Sequence, residues 1–142
     1  MQTFYDPDKT YDDNVENGPF LDDTKNYENH GEPKYEFLGH KIYSPFGIAA
    51  GTLPTSRHTD AAFKLGYDVV VYKTQRAHEF PCNPFPNIVP VDISGNLTVE
   101  RMKEPLVRAD TYPKDTSDIS ITNSFGVPSP DPRIWTKDLP KA

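Results

Sequence analysis

Two short apolar runs without alternating polar positions flank a helix-like segment in the first half of the chain. The runs are residues 46–51 and 67–74. Between them, the pair Thr55-Ser56 can cap a helix of about ten residues, and Gly66 stands where a left-handed residue commonly ends a helix. Strands of parallel sheets are uniformly apolar because both of their faces are covered. The pattern therefore predicts a strand–helix–strand unit in a parallel sheet, and it leaves open whether the sheet is doubly wound or a closed barrel.

Shorter patterns predict two β-hairpins on either side of this unit. Residues 35–43 combine two short apolar–polar stretches with a two-residue turn at Gly39-His40. A second hairpin is predicted for residues 87–100, with its turn at Ser94-Gly95.

The last quarter of the chain predicts a strand, a loop and a short helix. Residues 119–122 form the strand candidate, and the turn-forming residues 123–128 follow it. Asp131 is suited to cap a helix whose first position is Pro132. That helix carries Ile134, Trp135 and Leu139, and we interpret Trp135 as a packing residue.

Composition and charge divide the chain into two parts. Hydrophobic residues make up only 35% of the sequence, prolines number 15, and the mean hydropathy is −0.69, so irregular segments are expected to be frequent. Residues 1–34 hold nine acidic residues and three lysines, which accounts for the whole net charge of −6. Their aromatic residues show no period. We therefore predict an acidic extension, residues 1–34, that is disordered or lies over a neighbouring surface, and an ordered part, residues 35–142.

These properties argue against several partners and compartments. A chain without a basic stripe is a poor match for nucleic acid, and its acidic head does not suit an anionic membrane surface. No apolar run approaches the roughly 20 residues of a membrane-spanning helix. The single cysteine, Cys82, fits a reducing compartment. The expectation is a cytoplasmic protein without nucleic acid or membrane partners.

Three positions in the predicted elements are candidates for chemistry. Residues 49–51, Ala-Ala-Gly at a strand end, would let a planar ligand approach the backbone, although the local sequence alone favours a tight βα turn. Lys73 ends the second apolar strand, where α/β folds place their ligands; a lysine that simply reaches solvent is the alternative. Asn123 follows the later strand candidate and offers a donor and an acceptor, or it bonds its own turn.

The remaining reactive side chains show no arrangement typical of a site. Cys82 lies between prolines without an evident base, so we interpret it as structural. The four histidines have no carboxylate or cysteine at metal-ligand spacing, and no metal is predicted. They are His30, His40, His58 and His78.

Four motifs, in order and with compatible spacing, resemble the dihydroorotate dehydrogenase family over about residues 35–140. Residues 44–51 resemble its first strand, "NP-(F/V)-hydrophobic-A-(A/S)-G". Tyr72-Lys73-Thr74 is similar to the "K-(T/S)" of its second strand, and residues 83–86 to the "NP-x-P" that follows. Residues 121–129 resemble its "N-S-(M/F)-G-(L/M)-P" loop. The soluble, cytosolic class-1-like branch and the pyrimidine domain of dihydropyrimidine dehydrogenase are the most similar.

The resemblance implies a fold and a set of roles. The fold is α/β, namely the N-terminal part of a (β/α)₈ TIM barrel, preceded by the β-hairpin and the irregular acidic extension. The activity is FMN-dependent oxidation of dihydroorotate to orotate in pyrimidine biosynthesis, by a homo-oligomer in its full-length form. The flavin-binding residues would be Ala49, Ala50, Gly51, Lys73 and Thr74. The substrate-binding residues would be Lys73, Asn123, Ser124, Phe125, Gly126 and Val127.

The resemblance also implies that part of the enzyme lies outside these residues. Such a barrel takes about 250 residues, and its phosphate site is built by loops after strands 7–8. The family's base, a Cys or Ser, follows the Asn123 loop, so Cys82 does not align with it and no catalytic residue is assigned here. We therefore expect an N-terminal fragment that is inactive alone. The alternatives are another FMN-dependent pyrimidine or enone reductase on the same barrel, and a non-catalytic binding module.

Overall fold

The computed structural model describes residues 3–22, 26–93, 95–96 and 98–142. These residues form three α-helices, two two-stranded antiparallel sheets and several 3₁₀ turns. The helices are α1 (Tyr11–Asn17), α2 (Ser56–Lys64) and α3 (Pro132–Asp138). The strands are β1 (Tyr35–Phe37), β2 (His40–Ile42), β3 (Ile88–Pro90) and β4 (Ile121–Asn123). No closed barrel is present among the described residues, and none of their helices has the length and apolar character that crossing a membrane requires.

The first hairpin is confirmed, but its turn lies one residue earlier than predicted. β1 and β2 pair with Phe37 opposite His40, so the two turn residues are Leu38 and Gly39. Both have positive φ angles, 49° and 83°, as the turn type that matches the twist of a tight hairpin requires. The prediction of Gly39-His40 was wrong because glycine is needed at the second turn position, which frees His40 to begin the strand.

The strand–helix–strand unit is present in a reduced form. α2 occupies the predicted position, and Gly66 has the expected left-handed φ of +88°. Instead of two long strands, however, a single parallel bridge joins Ile48 to Val70. The Ile48 N–H donates to the Val69 carbonyl at 2.9 Å, and the Val71 N–H donates to the Ile48 carbonyl at 3.1 Å.

Gly47 permits the bridge, and the turn that follows it keeps the bridge short. A Cβ at Gly47 would lie 2.6 Å from the Val69 carbonyl oxygen, so only glycine permits this approach of the two segments. Directly after the bridge the chain turns into the 3₁₀ helix Ala50–Thr52, which ends the pairing on that side. On the other segment Val71 is 52% exposed. The prediction that both faces of these two strands are buried is therefore wrong for the described residues.

The second predicted hairpin is wrong. β3 pairs with β4, with Ile88 opposite Asn123, and not with the described residues among 96–100, from which Leu97 is excluded. The ladder continues through the Ser124 N–H to the Asn87 carbonyl at 2.8 Å. Ser94, half of the predicted turn, lies outside the described residues. The strand predicted at residues 119–122 is confirmed, but it runs from Ile121 to Asn123, so that Asn123 is its last residue.

The last helix is confirmed together with its cap. The Asp131 carboxylate accepts from the Arg133 N–H at 2.8 Å, and Pro132 is the first helical residue. At the other end of α3, Asp138 accepts from the Ser56 N–H and hydroxyl, both at 2.7 Å, and from the Tyr72 hydroxyl at 2.9 Å. α3 is thereby joined to the first turn of α2 and to the residue that precedes Lys73.

Part of the predicted acidic extension packs into the small core. Tyr5 and Tyr11 are only 6% and 8% exposed, comparable with Ile42 and Val91, while Leu53 is completely buried. Residues 3–22 therefore lie against the rest of the chain over this stretch. Residues 1, 2 and 23–25 lie outside the described part.

Candidate functional site

The two segments assigned to a flavin are joined by a backbone hydrogen bond. The Lys73 N–H donates to the Leu53 carbonyl at 2.9 Å, which places Lys73 beside the turn that begins at Ala50. The side chain of Leu53 is fully buried and anchors this turn in the core. Two motifs separated by some twenty residues of sequence thus lie side by side.

The backbone of residues 49–51 is open on one side. Ala49 and Gly51 are exposed, Ala50 is half-buried, and a Cβ placed on Gly51 would meet no atom within 4 Å. Small side chains and free space are what a planar ring needs in order to lie against a backbone. The residues present therefore fit a flavin ring, and Thr74, which follows Lys73, is also exposed.

Lys73 is a buried cation. The residue is 8% exposed, and its ammonium makes no salt bridge with a carboxylate among the described residues. Burial lowers its pKa below the ordinary value; Cys82 opposes the shift and the positive charge of Arg76 adds to it. A buried ammonium without a carboxylate partner costs free energy, and it is available to an anionic or electron-rich ligand. The alternative of a lysine extending into solvent does not describe this conformation.

Cys82 lies near Lys73 but is not prepared for proton abstraction. Burial and the negative charge of Asp12 raise the pKa of its thiol, and the Asn83 backbone and Lys73 counteract this only in part. A thiol with a raised pKa is a poor base or nucleophile at neutral pH. Among the described residues, no group of three or more histidine, cysteine, aspartate or glutamate side chains is arranged to hold a metal ion.

The loop predicted to bind substrate leaves β4 in an unusual conformation. Asn123 is exposed at the strand end, and Ser124 beside it is also exposed. Gly126 and Val127 follow with φ angles of +76° and +55°. A β-branched residue with positive φ is strained by about 1–3 kcal/mol, and such residues concentrate at functional sites. The strain at Val127 is an observation in favour of a function for this loop.

Arg76 holds the strained loop in place. Its Nε donates to the Val127 carbonyl at 2.9 Å and its Nη2 to the Gly126 carbonyl at 3.2 Å. The guanidinium also stacks on the Phe80 ring, with its central carbon 3.9 Å from the ring centroid. Because Arg76 is three residues from Lys73, it brings the loop predicted to bind substrate close to the segment that carries Lys73. Its local sequence showed no signal for this role.

A cavity lies beside the loop and not at the predicted residues. Its volume is about 580 Å³, and it lies between α1, α3 and the proline-rich segment around Cys82. None of the residues predicted to bind flavin or substrate lines it. Trp135, interpreted as a packing residue, does line it. The remaining walls include Tyr11, Tyr72, Cys82, Asn83 and Asp138.

We expect the buried His58 to make the stability of the chain depend on pH. It is completely buried, and its Nδ1 is bonded to the Thr55 hydroxyl at 2.8 Å. Burial, reinforced by the charge of Arg57, lowers its pKa from 6.5 to about 4, although the Asn14 carbonyl and Asp138 oppose the shift. Between these values the unfolded chain binds a proton that the folded chain does not. We expect the free energy of unfolding to fall by about 3 kcal/mol as the pH falls through this window.

Urea unfolding measured at several pH values checks this expectation. The variant His58→Gln should lose most of the slope between pH 6.5 and 4. The variant His78→Gln, which changes an exposed histidine, should keep it. Asp131 does not interfere, because its pKa of about 2 places its titration below this window. Equal slopes in the wild type and in His58→Gln would show that another group is responsible.

Comparison with known proteins adds one relative. No family model matches the chain, and no solved structure matches it. A dihydroorotate dehydrogenase from Dictyostelium discoideum is 37% identical to the chain over 142 aligned residues, which cover 95% of this chain. The chain belongs to the dihydroorotate dehydrogenase family. It spans 38% of the length of the Dictyostelium relative.

This membership confirms the family that the four sequence motifs indicated. The alignment covers almost the whole chain, so it includes most of the acidic extension, which the motifs left unassigned. The Dictyostelium protein is named for an oxidoreductase that acts on dihydroorotate.

Proposed function

We propose that this chain supplies the flavin-facing and substrate-facing residues of an FMN-dependent dihydroorotate dehydrogenase. The observation that carries the proposal is the placement of Lys73, a buried cation joined to the open turn at residues 49–51 and linked through Arg76 to the strained loop after Asn123. A charged side chain between a flat open surface and a polar loop suits a reaction in which a planar ring receives electrons from a small anionic substrate.

The flavin side of the site would use backbone and charge. The exposed backbone of Ala49, Ala50 and Gly51 would lie against the ring of FMN, and Thr74 would contact its edge. FMN supplies the acceptor for the hydride of dihydroorotate. Lys73 would stabilise the negative charge that develops on reduction, and its burial strengthens this effect because less water screens the ammonium.

The substrate side would use the loop after β4. The exposed amide of Asn123 can donate to and accept from a cyclic imide such as the orotate ring. The carbonyl groups of Gly126 and Val127 are turned towards Arg76, which leaves backbone N–H groups of Ser124 to Val127 as the loop's contribution to binding a carboxylate. The Ser124 N–H is already bonded to Asn87, so Phe125, Gly126 and Val127 would provide that contact.

The proton that leaves dihydroorotate would be accepted by a residue outside this set. Cys82 is the one thiol in the sequence, and the raised pKa of its half-buried side chain does not suit a base. We assign it to packing beside Lys73. The catalytic base is proposed to lie in a part of the enzyme that follows the Asn123 loop.

The fold that completes this site is proposed to be a (β/α)₈ barrel. The single parallel bridge between Ile48 and Val70, with Val71 exposed beside it, provides an edge to which further parallel strands can be added. We expect the 142-residue chain by itself to bind FMN weakly and not to oxidise dihydroorotate. Flavin that stays with this chain through gel filtration would contradict the proposal.

The substrate assignment is tested with difference spectra. The complete coding sequence that contains this chain is expressed, and its product, called here the complete gene product, is titrated with orotate and with uracil. We expect a flavin difference spectrum with orotate at lower concentration than with uracil, and Asn123→Ala should weaken the orotate response. A preference for uracil would assign the protein to another flavin-dependent pyrimidine reductase.

A further inference from the structure

The N-terminal segment makes direct contact with the substrate loop. Phe125 packs against two tyrosine rings of that segment: its ring centroid is 5.6 Å from that of Tyr5, at an interplanar angle of 62°, and 5.8 Å from that of Tyr11, at 59°. The two tyrosine rings are themselves 6.4 Å apart. The contact with Tyr5 is edge-on and the contact with Tyr11 is tilted; aromatic pairs of this kind stabilise a ring more than burial alone. Phe125 is two residues from Asn123, so these contacts bear on the proposed substrate-binding loop.

The segment that carries these tyrosines is internally ordered. We call residues 3–20 the strap. Its two ends pair through Thr3 and Phe20, whose backbones exchange hydrogen bonds of 3.0 and 2.8 Å. The buried Asn14 side chain accepts from the Asp6 N–H at 2.7 Å and donates to the Asp6 and Thr10 carbonyls at 3.0 and 2.8 Å. The strap is therefore a closed, hydrogen-bonded loop around α1.

The strap is also fixed to α2. Arg57 donates through Nη2 to the Val15 carbonyl at 2.9 Å and the Glu16 carbonyl at 2.7 Å, at the C-terminal end of α1, where a cation is favourable. The ring of Tyr5 lies 6.3 Å from that of His58. At Gly18 a Cβ would come within 2.6 Å of the Asn14 carbonyl oxygen, so the strap closes tightly. These contacts give the two tyrosines a fixed position from which to hold Phe125.

We propose that Tyr5 and Tyr11 of the strap are positioning residues of the substrate site, which hold Phe125 and through it set the placement of Asn123. This inference rests on the proposed function. Arg76 binds the carbonyl groups of Gly126 and Val127, and the strap binds the Phe125 ring. Together these contacts hold the strained backbone at Gly126 and Val127 in one conformation. The rings carry the role and not the hydroxyl of Tyr5, which is buried without a hydrogen-bond partner among the described residues.

The test compares variants of the complete gene product that lose the aromatic rings of Tyr5 and Tyr11 with variants that keep them. In the double variant Tyr5→Leu/Tyr11→Leu we expect the KM for dihydroorotate to rise about tenfold and kcat to change by no more than about threefold, because ground-state placement of the substrate is lost. The double variant Tyr5→Phe/Tyr11→Phe keeps the rings and should keep KM within about twofold. Tyr35→Leu, at an exposed tyrosine of β1, is the matched control and should behave like the wild type.

Either of two results with the double variants would overturn the proposal. One is an unchanged KM in the double leucine variant; the other is an equal rise in the double phenylalanine variant, which would assign the effect to the hydroxyls. If the double leucine variant does not fold, Phe125→Leu removes the same contact from the other side and should give the same rise in KM. An unchanged KM in Phe125→Leu would also overturn the proposal.

A second readout separates this inference from the proposed function. In the 142-residue chain, backbone hydrogen exchange of residues 123–129 should be about tenfold faster in the double leucine variant, while α2 keeps its protection. This measurement needs no activity. If the complete gene product does not oxidise dihydroorotate but loop exchange accelerates as expected, the proposed function fails and the strap's hold on the loop stands. Unchanged loop exchange would contradict the strap proposal whatever the activity.

Discussion

Replacing Lys73 with methionine should lower the rate of dihydroorotate oxidation by the complete gene product about 100- to 1000-fold. This is the loss typical of removing one preorganised group that stabilises developing negative charge. The same substitution should not lower the free energy of unfolding, because a buried ammonium without a salt bridge is replaced by an apolar side chain of similar length. A residue that lowers the stability of the fold, as a buried Lys73 would, is expected in a functional site and not in a structural core.

The pH dependence of stability provides a check that is independent of activity. The pKa of Lys73 is lowered from 10.5 in the folded chain. Between the lowered value and 10.5 the unfolded chain binds more protons, so wild-type stability rises with pH across that interval. Lys73→Met should lack this rise.

The exposed Lys114 provides the matched control for both measurements. Lys114→Met should leave the oxidation rate and the pH dependence unchanged. Full activity in a folded Lys73→Met variant would remove Lys73 from the proposed site.

Replacing Asp138 with alanine should lower the free energy of unfolding by about 3 kcal/mol. The carboxylate accepts three hydrogen bonds, from the Ser56 N–H, the Ser56 hydroxyl and the Tyr72 hydroxyl, and a bond to a charged group contributes about 1.5–3 kcal/mol, without full additivity. Its loss leaves the first turn of α2 without a cap and frees Tyr72, the neighbour of Lys73. Thermal or urea unfolding measures the effect, and Asp110→Ala at an exposed aspartate should have almost none.

The contribution of Asp138 should also depend on pH. Burial tends to raise the pKa of its carboxyl, but the hydrogen bonds from Ser56 and Tyr72 outweigh burial and lower it below 3.8. The stabilisation is therefore fully present above 3.8 and is lost as the pH falls through the lowered pKa. A difference between wild type and Asp138→Ala that stays constant down to the lowest pH would contradict this assignment.

Local signals in the sequence predicted α2, α3 and the first hairpin, because each is specified by neighbouring residues. Gly66 ends α2 in the left-handed conformation, Asp131 caps α3, and Gly39 completes a tight turn. The pairing of β3 with β4 was not predictable in this way. It joins segments more than thirty residues apart, and the competing signal at Ser94-Gly95 gave a local alternative.

The residues of the candidate site also fall into those that the sequence identified and those that only the structure shows. Motif order identified Lys73 and the loop after Asn123, and the backbone conformation at Gly126 and Val127 agrees with a special role for that loop. Arg76, Asp138 and the tyrosines of the strap carried no local signal, because their roles depend on partners far away in sequence. An acidic segment without periodicity predicts disorder or surface packing, and only the tertiary contacts show that Tyr5 packs against Phe125.

The most direct test of the central claim is anaerobic mixing of the complete gene product with dihydroorotate. We expect the purified protein to carry FMN, the absorbance of the oxidised flavin to disappear on mixing, and orotate to form in an amount equal to the flavin reduced. The same experiment with Lys73→Met should show little flavin reduction on that timescale. A cooperatively folded product that carries no flavin, or a flavin that dihydroorotate does not reduce, would contradict the assignment of this chain to a dihydroorotate-oxidising enzyme.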